Sequence, residues 1–427
     1  MREILWPRRW LQLFISLIIL YQAHTFDSDF NENMSSKNNL GHFGIHMYNK
    51  IGAIRPSDNI VFSPFSIQTC TAMARLGAEG ETAEEMDRGL GLPKKQEEWI
   101  GTFHDTLDFY KNSEILHIAN KIYVMNGFKI NIDYNEILKT KFFTSAEEIN
   151  FASGSESAHI INKWIESKTN NLIKDMIPAS GLSSDTRLLL LNAVHFKGNW
   201  QHKFEITKTR LENFYIDDGV SVQVQMMSQK NRFRYADLPD LNATAIELPY
   251  KKCDLSMLII LPKSVTGLKA LEEALLNKPI SDITKELSFQ EVVVKIPKWK
   301  AEFSIELNEP FKQLGMSRMF TNYAEFGKML ENSEPLLVSK VLHKAFIEVN
   351  ELGTEAAAAT GMLMRKKRGI VNFSEPISFI ADHPYYYFIN HMPLVNVDEQ
   401  EISPIPIFVG SVKTFDNVQS IESHDEL

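Results

Sequence analysis

The residues that invite chemistry in this chain are ones to be acted upon rather than ones that act. Arg365-Lys-Lys-Arg368 is a run of four cations followed by Gly369, and arginine's fixed fork suits a protease cleft lined with carboxylates. Just upstream lies Glu351-Leu-Gly-Thr-Glu-Ala-Ala-Ala-Ala-Thr360, a run of small residues flanked by threonines. By contrast, no Gly-X-Ser-X-Gly elbow and no His-Glu-X-X-His pair occurs. The two cysteines, Cys70 and Cys253, have no Cys/His ligand spacing around them. No catalytic residue, metal or cofactor is therefore assigned, and the chain is not read as an enzyme.

The ends of the chain give an address. Basic residues up to Arg8-Arg9 precede the apolar run Trp10–Leu20, the pattern of a secretory signal peptide and too short for a comfortable membrane span. Cleavage near Ala23 makes residues 1–23 the signal, and an uncleaved anchor is the alternative. The last four residues, His424, Asp425, Glu426 and Leu427, form a receptor-read retrieval signal for the endoplasmic reticulum. Together they predict residence in the lumen of the endoplasmic reticulum and early secretory pathway, with some escape to secretion. Asn33, Asn242 and Asn372 open Asn-X-Ser/Thr triplets and are candidate glycosylation sites. An oxidising lumen would permit a disulfide, but both cysteines sit in apolar stretches and read as buried thiols.

A net charge of −9 argues against nucleic acid as the main partner. No stretch beyond the N-terminus is apolar enough to span a bilayer, and a monomer is expected. At 427 residues the chain can bury a large core. Residues 67–75 and 158–173 carry apolar side chains at helical spacing, and Thr82-Ala-Glu-Glu85 reads as the opening of a short charged helix. Residues 220–226 alternate as a half-buried strand. The apolar runs 255–261 and 291–296 suggest strands covered on both faces. Helices dominate the first third and strands the last, which gives an α+β class. No linker divides the chain, so one domain is expected over residues 24–420, with a tail at 421–427.

Several separated segments, in order, resemble those of the serpin family. They are Asn59-Ile-Val-Phe-Ser-Pro-Phe-Ser-Ile67, Leu76-Gly-Ala-Glu-Gly80, Asn192-Ala-Val-His-Phe-Lys-Gly-Asn-Trp200, Ile246-Glu-Leu-Pro-Tyr250, Ile296-Pro-Lys-Trp299, Ala381-Asp-His-Pro-Tyr385 and Phe408-Val-Gly410. The resemblance implies three β-sheets with about nine helices and an exposed reactive loop near the C-terminus, here about residues 351–375. It also implies that Ser63, Ser66, Asn192 and His343 form the polar cluster beneath the point where the main sheet opens. Trp200 then lies at the top of that opening and Glu351 just before the hinge.

In that family the attacking protease supplies the chemistry. Its serine forms an acyl-enzyme at the bait residue, and the cut loop then inserts into the main sheet before hydrolysis finishes. At ~1 kcal/mol net per backbone hydrogen bond, roughly ten new bonds would contribute about 10 kcal/mol, so the uncut fold is held kinetically. Insertion demands small, uncharged side chains on the inward face. The hinge, Glu351 and Gly353 to Thr360, fits. Strand alternation puts Thr354, Ala356, Ala358 and Thr360 inward and Glu355 outward, with Ala357 and Ala359 small as well. Taken alone, the segment would serve equally as an alanine-rich helix. Met362 and Met364 share the inward parity.

Arg365, Lys366, Lys367 and Arg368 match the Arg-X-Lys/Arg-Arg pattern of furin-type proprotein convertases. This register cuts between Arg368 and Gly369. The family's usual spacing from Gly353 instead falls on Lys367, with the cut before Arg368. The expected partners are thus a furin-like convertase, or another Arg-specific serine protease, and the retrieval receptor. A non-inhibitory luminal binding protein or chaperone on the same scaffold is the competing class, and a general inhibitor of trypsin-like proteases is a third.

Overall fold

The computed structural model describes residues 36–251, 253–332, 334–352, 376–392 and 403–415. Among these, a helix that is buried almost all round lies between two sheets. This is α2 (Pro64–Leu76), and its start is written in the sequence. Ser63 adopts extended backbone and caps the helix by accepting a hydrogen bond from the Ser66 amide, while Pro64 occupies the first turn where its missing N–H costs nothing. Twelve of its thirteen residues are buried, because β4 (Leu188–Phe196) covers one side and β14 (Ile405–Val412) the other.

The five-stranded sheet runs in the order β10 (Trp299–Glu306), β11 (Val338–Val349), β4, β2 (Leu116–Met125) and β3 (Ala146–Ile149). Every residue of β4 is buried. Leu188, Leu190 and Val194 face the main core around α2, and Leu189, Leu191 and Ala193 face a second cluster under α6 (Gly154–Lys168), with Ile161 and Ile165. One pairing in the middle of this sheet is parallel, between strands joined by a long stretch of chain. β11 lies parallel to β4, with His343 opposite Asn192 and Ile347 opposite Phe196, whereas β10 with β11 and β2 with β4 are antiparallel.

The other layer has nine strands in the order β1 (Ile60–Phe62), β14, β13 (Tyr385–His391), β8 (Leu255–Pro262), β7 (Ala243–Pro249), β6 (Val220–Leu238), β9 (Ser288–Pro297) and β12 (Ile377–Ile380), with β5 (Arg210–Asp217) also on β6. The expected second and third sheets are therefore hydrogen-bonded into one layer. The cause is β6, whose 19 residues pair with β5 and β9 along most of their length and with β7 only over Arg234–Leu238. Gly410 lets β1 close this layer. A Cβ at that position would overlap the Ile60 carbonyl and stand 2.6 Å from the Tyr387 hydroxyl.

Nine α-helices occur among the described residues, the others being α1 (Ser36–Ile54), α3 (Gly80–Leu90), α4 (Gln96–Tyr110), α5 (Ile132–Phe142), α7 (Leu268–Leu275), α8 (Ile280–Glu286) and α9 (Asn308–Gln313). None of the described helices is long and apolar enough to cross a membrane. Three local expectations shift. The helix expected to reach residue 173 ends at Lys168, because Asn170 and Asn171 turn into the left-handed region that asparagine tolerates. Thr82 lies inside α3 rather than opening it, and its hydroxyl accepts the Glu325 amide at 3.0 Å. The run 291–296 is buried on one face only, through Val292, Val294 and Ile296, and Lys295 on the other face pairs with Glu212 at 2.7 Å. Residues 255–261 are covered on both faces.

Candidate functional site: gate and clamp of the five-stranded sheet

Three adjacent strands each bring one polar side chain to the same level of the sheet. Asn120 on β2 is paired with Asn192 on β4, and Asn192 is paired with His343 on β11. Each sits among apolar neighbours, where an unbonded polar group would cost about 1–3 kcal/mol, so each must find partners. The Ser63 backbone N–H donates to His343 Nε2 at 3.3 Å. An amide can only donate, so Nε2 carries the lone pair and the ring proton lies on Nδ1. Nδ1 donates to Asn192 Oδ1. That contact turns the Asn192 amide nitrogen to the opposite side, where it donates to Ser66 Oγ and to Asn120 Oδ1. Ser66 Oγ in turn donates to Asn120 Oδ1 at 3.2 Å.

The cluster thus joins β11, β4, β2 and the first turn of α2. Burial pushes the His343 imidazole down to about 3; protonation would also abolish the acceptor that the Ser63 amide needs. Ser63, Ser66, Asn192 and His343 are all brought together here. Asn120 was missed by the sequence reading, although an asparagine, a residue type depleted in strands, in the middle of β2 is a signal.

A second arrangement closes the top of the same parallel pair. Beyond β11, three successive carbonyls are held by the segment that follows β4. Asn350 O accepts from Trp200 Nε1 at 2.9 Å, Glu351 O from the Phe204 amide at 2.9 Å, and Leu352 O from the Trp200 amide at 3.0 Å. Trp200 is itself stacked on Tyr250, with ring centroids 4.5 Å apart and planes within 12°. The Glu351 side chain is buried, which would raise its pKa. Its own backbone, Lys298 at 3.0 Å and the Thr209 hydroxyl at 2.8 Å outweigh that and hold the carboxyl below its usual value. Trp200 and Glu351 therefore belong to one clamp, at the point where the chain leaves β11.

The remaining candidates separate. In the reactive loop, Gly353, Thr354, Glu355, the alanines to Thr360, the cationic run Arg365, Lys366, Lys367 and Arg368, and Gly369 all lie outside the described residues. So do Asn33, Asn372 and the four residues of the expected retrieval signal, His424, Asp425, Glu426 and Leu427. Asn242 is exposed in a left-handed turn between β6 and β7, with φ of 45°. Cys70 and Cys253 are not joined in a disulfide. The Cys70 thiol donates to Leu191 O at 3.3 Å and is pushed up to about 12 by burial, and Cys253 is half-buried with its thiol also raised by burial. Among the described residues no group of His, Cys, Asp or Glu could hold a metal ion.

A five-stranded sheet with a parallel central pair, a polar gate beneath it and a clamp at its upper end defines a serpin. The family model described as serpin (serine protease inhibitor) matches residues 38–397, and the chain belongs to that family. Serine protease inhibitor 42Dd of Drosophila melanogaster is 37% identical over 362 residues, covering 84% of this chain and 95% of that protein. Human neuroserpin is 32% identical and covers 82% of this chain and 87% of its own length. Among solved structures, cleaved serpin 42Da superposes with a TM-score of 0.78 at 51% identity, covering 89% of this chain and 98% of that one. The fold and the family are accordingly those of serpin-type protease inhibitors, a class that is generally not catalytic.

Proposed function

We propose that this serpin traps furin-like proprotein convertases in the early secretory pathway, as a suicide substrate cut after Arg368. The observation that carries the reading is Arg365-Lys-Lys-Arg368, a convertase recognition sequence placed in the segment that joins β11 to β12. A secretory protein that displays such a site is exposed to cleavage, and a trap is the arrangement in which cleavage serves it. The entry signal and the retrieval signal at His424 to Leu427, with Asp425 and Glu426 at its centre, would hold the trap where newly made convertases pass.

The topology supports the trapping step. A strand that turns back after Leu352 runs antiparallel to β11. Because β4 is parallel to β11, the same strand entering between them is antiparallel to both. One parallel pairing would be replaced by two antiparallel ones, which are slightly more stable per residue. Residues 354–365, twelve in number, match the twelve residues of β11 in length, and the small residues at Thr354, Ala356, Ala358 and Thr360 suit the core-facing side. Lumenal residence, retrieval by the receptor and glycosylation at the three asparagines belong to the same reading.

The test mixes the purified serpin with furin and with trypsin, read by denaturing gel and by residual protease activity. An SDS-stable complex with furin, forming faster than with trypsin, is the expected result. Cleaved serpin with fully active furin would sink the inhibitor reading in favour of the non-inhibitory class, and faster trapping of trypsin would favour the general inhibitor.

A further inference from the structure

A cleft of about 760 Å³ opens where α1, α7 and the end of β14 meet, on the nine-stranded layer, and none of the gate or clamp residues lines it. α1 makes the room. Asn49, Gly52 and Ala53 share one face of that helix at i, i+3, i+4 spacing, and their short side chains leave a gap opposite Leu268, Lys269 and Glu272 of α7. The volume is that of a small-molecule site.

Lys413, the first residue after β14, lines this space. Its backbone is fixed by Asn59, which accepts from the Lys413 amide at 2.6 Å and the Thr414 amide at 3.1 Å and donates to the Thr414 carbonyl at 2.7 Å. The Lys413 side chain is 14% exposed. Lys121, Lys344 and Lys278 are comparably enclosed, and each stands within hydrogen-bond distance of a carboxylate oxygen. Lys413 does not. Its Nζ donates to the Pro56 carbonyl at 3.1 Å, while Glu272 Oε1 stands 3.8 Å away, beyond hydrogen-bond reach. Glu272 is held from the other side, because its Oε1 accepts from the buried Tyr48 hydroxyl, itself 2.7 Å from Ser411 Oγ. Burial lowers the Lys413 pKa, and the charges of Glu272 and Asp58 oppose that only in part. The ammonium gives up its proton more readily than an exposed one, with a carboxylate alongside to take it.

A carboxylate or phosphate entering the cleft would meet Glu272 and Glu273 beside the lysine, so the chemistry disfavours an anion. Ile216, Val265, Leu268 and Pro384 offer an apolar wall to an uncharged body. We propose that Lys413 captures a small uncharged aldehyde as an imine, with the body of the aldehyde lying in the cleft between α1 and α7. Nζ, its proton passed to Glu272, attacks the carbonyl carbon, and the carbonyl oxygen takes up that proton. The hydroxyl so formed leaves as water with a second proton from the nitrogen, and the nitrogen lone pair closes the C=N bond. The protonated imine keeps one positive charge beside Glu272, so the charge of the cleft is unchanged.

The test incubates the intact full-length protein at neutral pH with benzaldehyde and sodium cyanoborohydride, which reduces the imine to a stable benzylamine. Peptide mass spectrometry over time then ranks the labelled lysines. Lys413 should be labelled at least about tenfold faster than Lys269, which is exposed on the rim of the same cleft, and its rate should saturate with benzaldehyde concentration. Ala53→Trp, at an exposed position of α1, fills the cleft and should leave the melting temperature unchanged. It should slow benzaldehyde labelling of Lys413 at least about tenfold, while formaldehyde, which needs no cleft, labels it at the parent rate. A Lys413 labelled no faster than Lys269 overturns the site. Benzaldehyde labelling unchanged in Ala53→Trp overturns the cleft as the place where the aldehyde lies.

Discussion

His343 and Asn192 face each other across the β4–β11 pair, and the His343 ring donates from Nδ1 to the Asn192 amide oxygen while its other nitrogen accepts from Ser63. The bond spans the seam that a cut loop would have to enter. The seam can open only if His343 and Asn192 exchange each other for new partners, and a cluster in which every member is bonded makes that exchange slow.

This geometry fixes a pH dependence. The neutral imidazole is the folded form, and burial places its pKa near 3 against an ordinary value of 6.5. Between those values the unfolded chain binds a proton that the native state does not, so stability rises with pH. His343 therefore contributes fully above about pH 6.5, and its contribution falls by up to ~1.4 kcal/mol per pH unit below that. Melting temperatures measured from pH 7.5 down to pH 4.5 should decline, and His343→Gln should decline less steeply over the same range. Parallel slopes for the two proteins would show that the other histidines carry the effect.

Asn120→Ala tests the member that sequence reading did not supply. The substitution leaves the Ser66 hydroxyl and the Asn192 amide nitrogen without their shared acceptor. The expected cost is about 2 kcal/mol or more, seen as a lower denaturant midpoint, with faster spontaneous conversion to a heat-stable form. A midpoint within about 0.5 kcal/mol of the parent would mean that the cluster closes around the gap.

At the clamp, Trp200→Phe keeps the ring but removes the donor to Asn350 O. A loss of ~1 kcal/mol is expected. Glu351→Gln should weaken the hold of Lys298 while an amide oxygen can still accept from Thr209. Hydrogen exchange at the Phe204 and Trp200 amides, which bond Glu351 O and Leu352 O, should speed up in both variants. Protection unchanged from the parent would show that backbone bonds alone hold the clamp.

In the reactive loop, Ala358→Glu places a carboxylate on the side that would face the core. Cleavage by the target protease should continue while the SDS-stable complex falls at least about tenfold, because burying an unpaired charge costs several kcal/mol. Arg368→Ala should abolish the complex with furin, and Lys367→Ala should retain most of it. Mass spectrometry of the released C-terminal peptide gives the register directly: a peptide beginning at Gly369 supports the cut after Arg368, and one beginning at Arg368 supports the other register.

Legibility from sequence depended on which atoms carry the structure. Ser63, Ser66, Asn192 and His343 could be placed because side chains hold the gate together, and their motifs survive in order along the chain. The clamp was only half legible. Trp200 and Glu351 stood out, but the Asn350, Glu351 and Leu352 carbonyls that Trp200 and Phe204 hold have no signature in residue type. The apolar run at 291–296 misled because Val293 and Lys295 lie on a face that is only half-covered, which the run itself cannot reveal.

The gate also dictates an order of events at birth. Ser63 and His343 are 280 positions apart in the chain, and Asn59 holds the Lys413 amide and the Thr414 carbonyl from a still greater distance. Neither connection can form while the chain is being made, until all but its last segments have emerged. β4 must therefore wait with one edge unpaired while the chain from Phe196 to Val338 is made, until β11 arrives to occupy it. During that interval the nascent chain carries an open strand edge that any extended segment could fill, and closing the seam is among the last steps of folding.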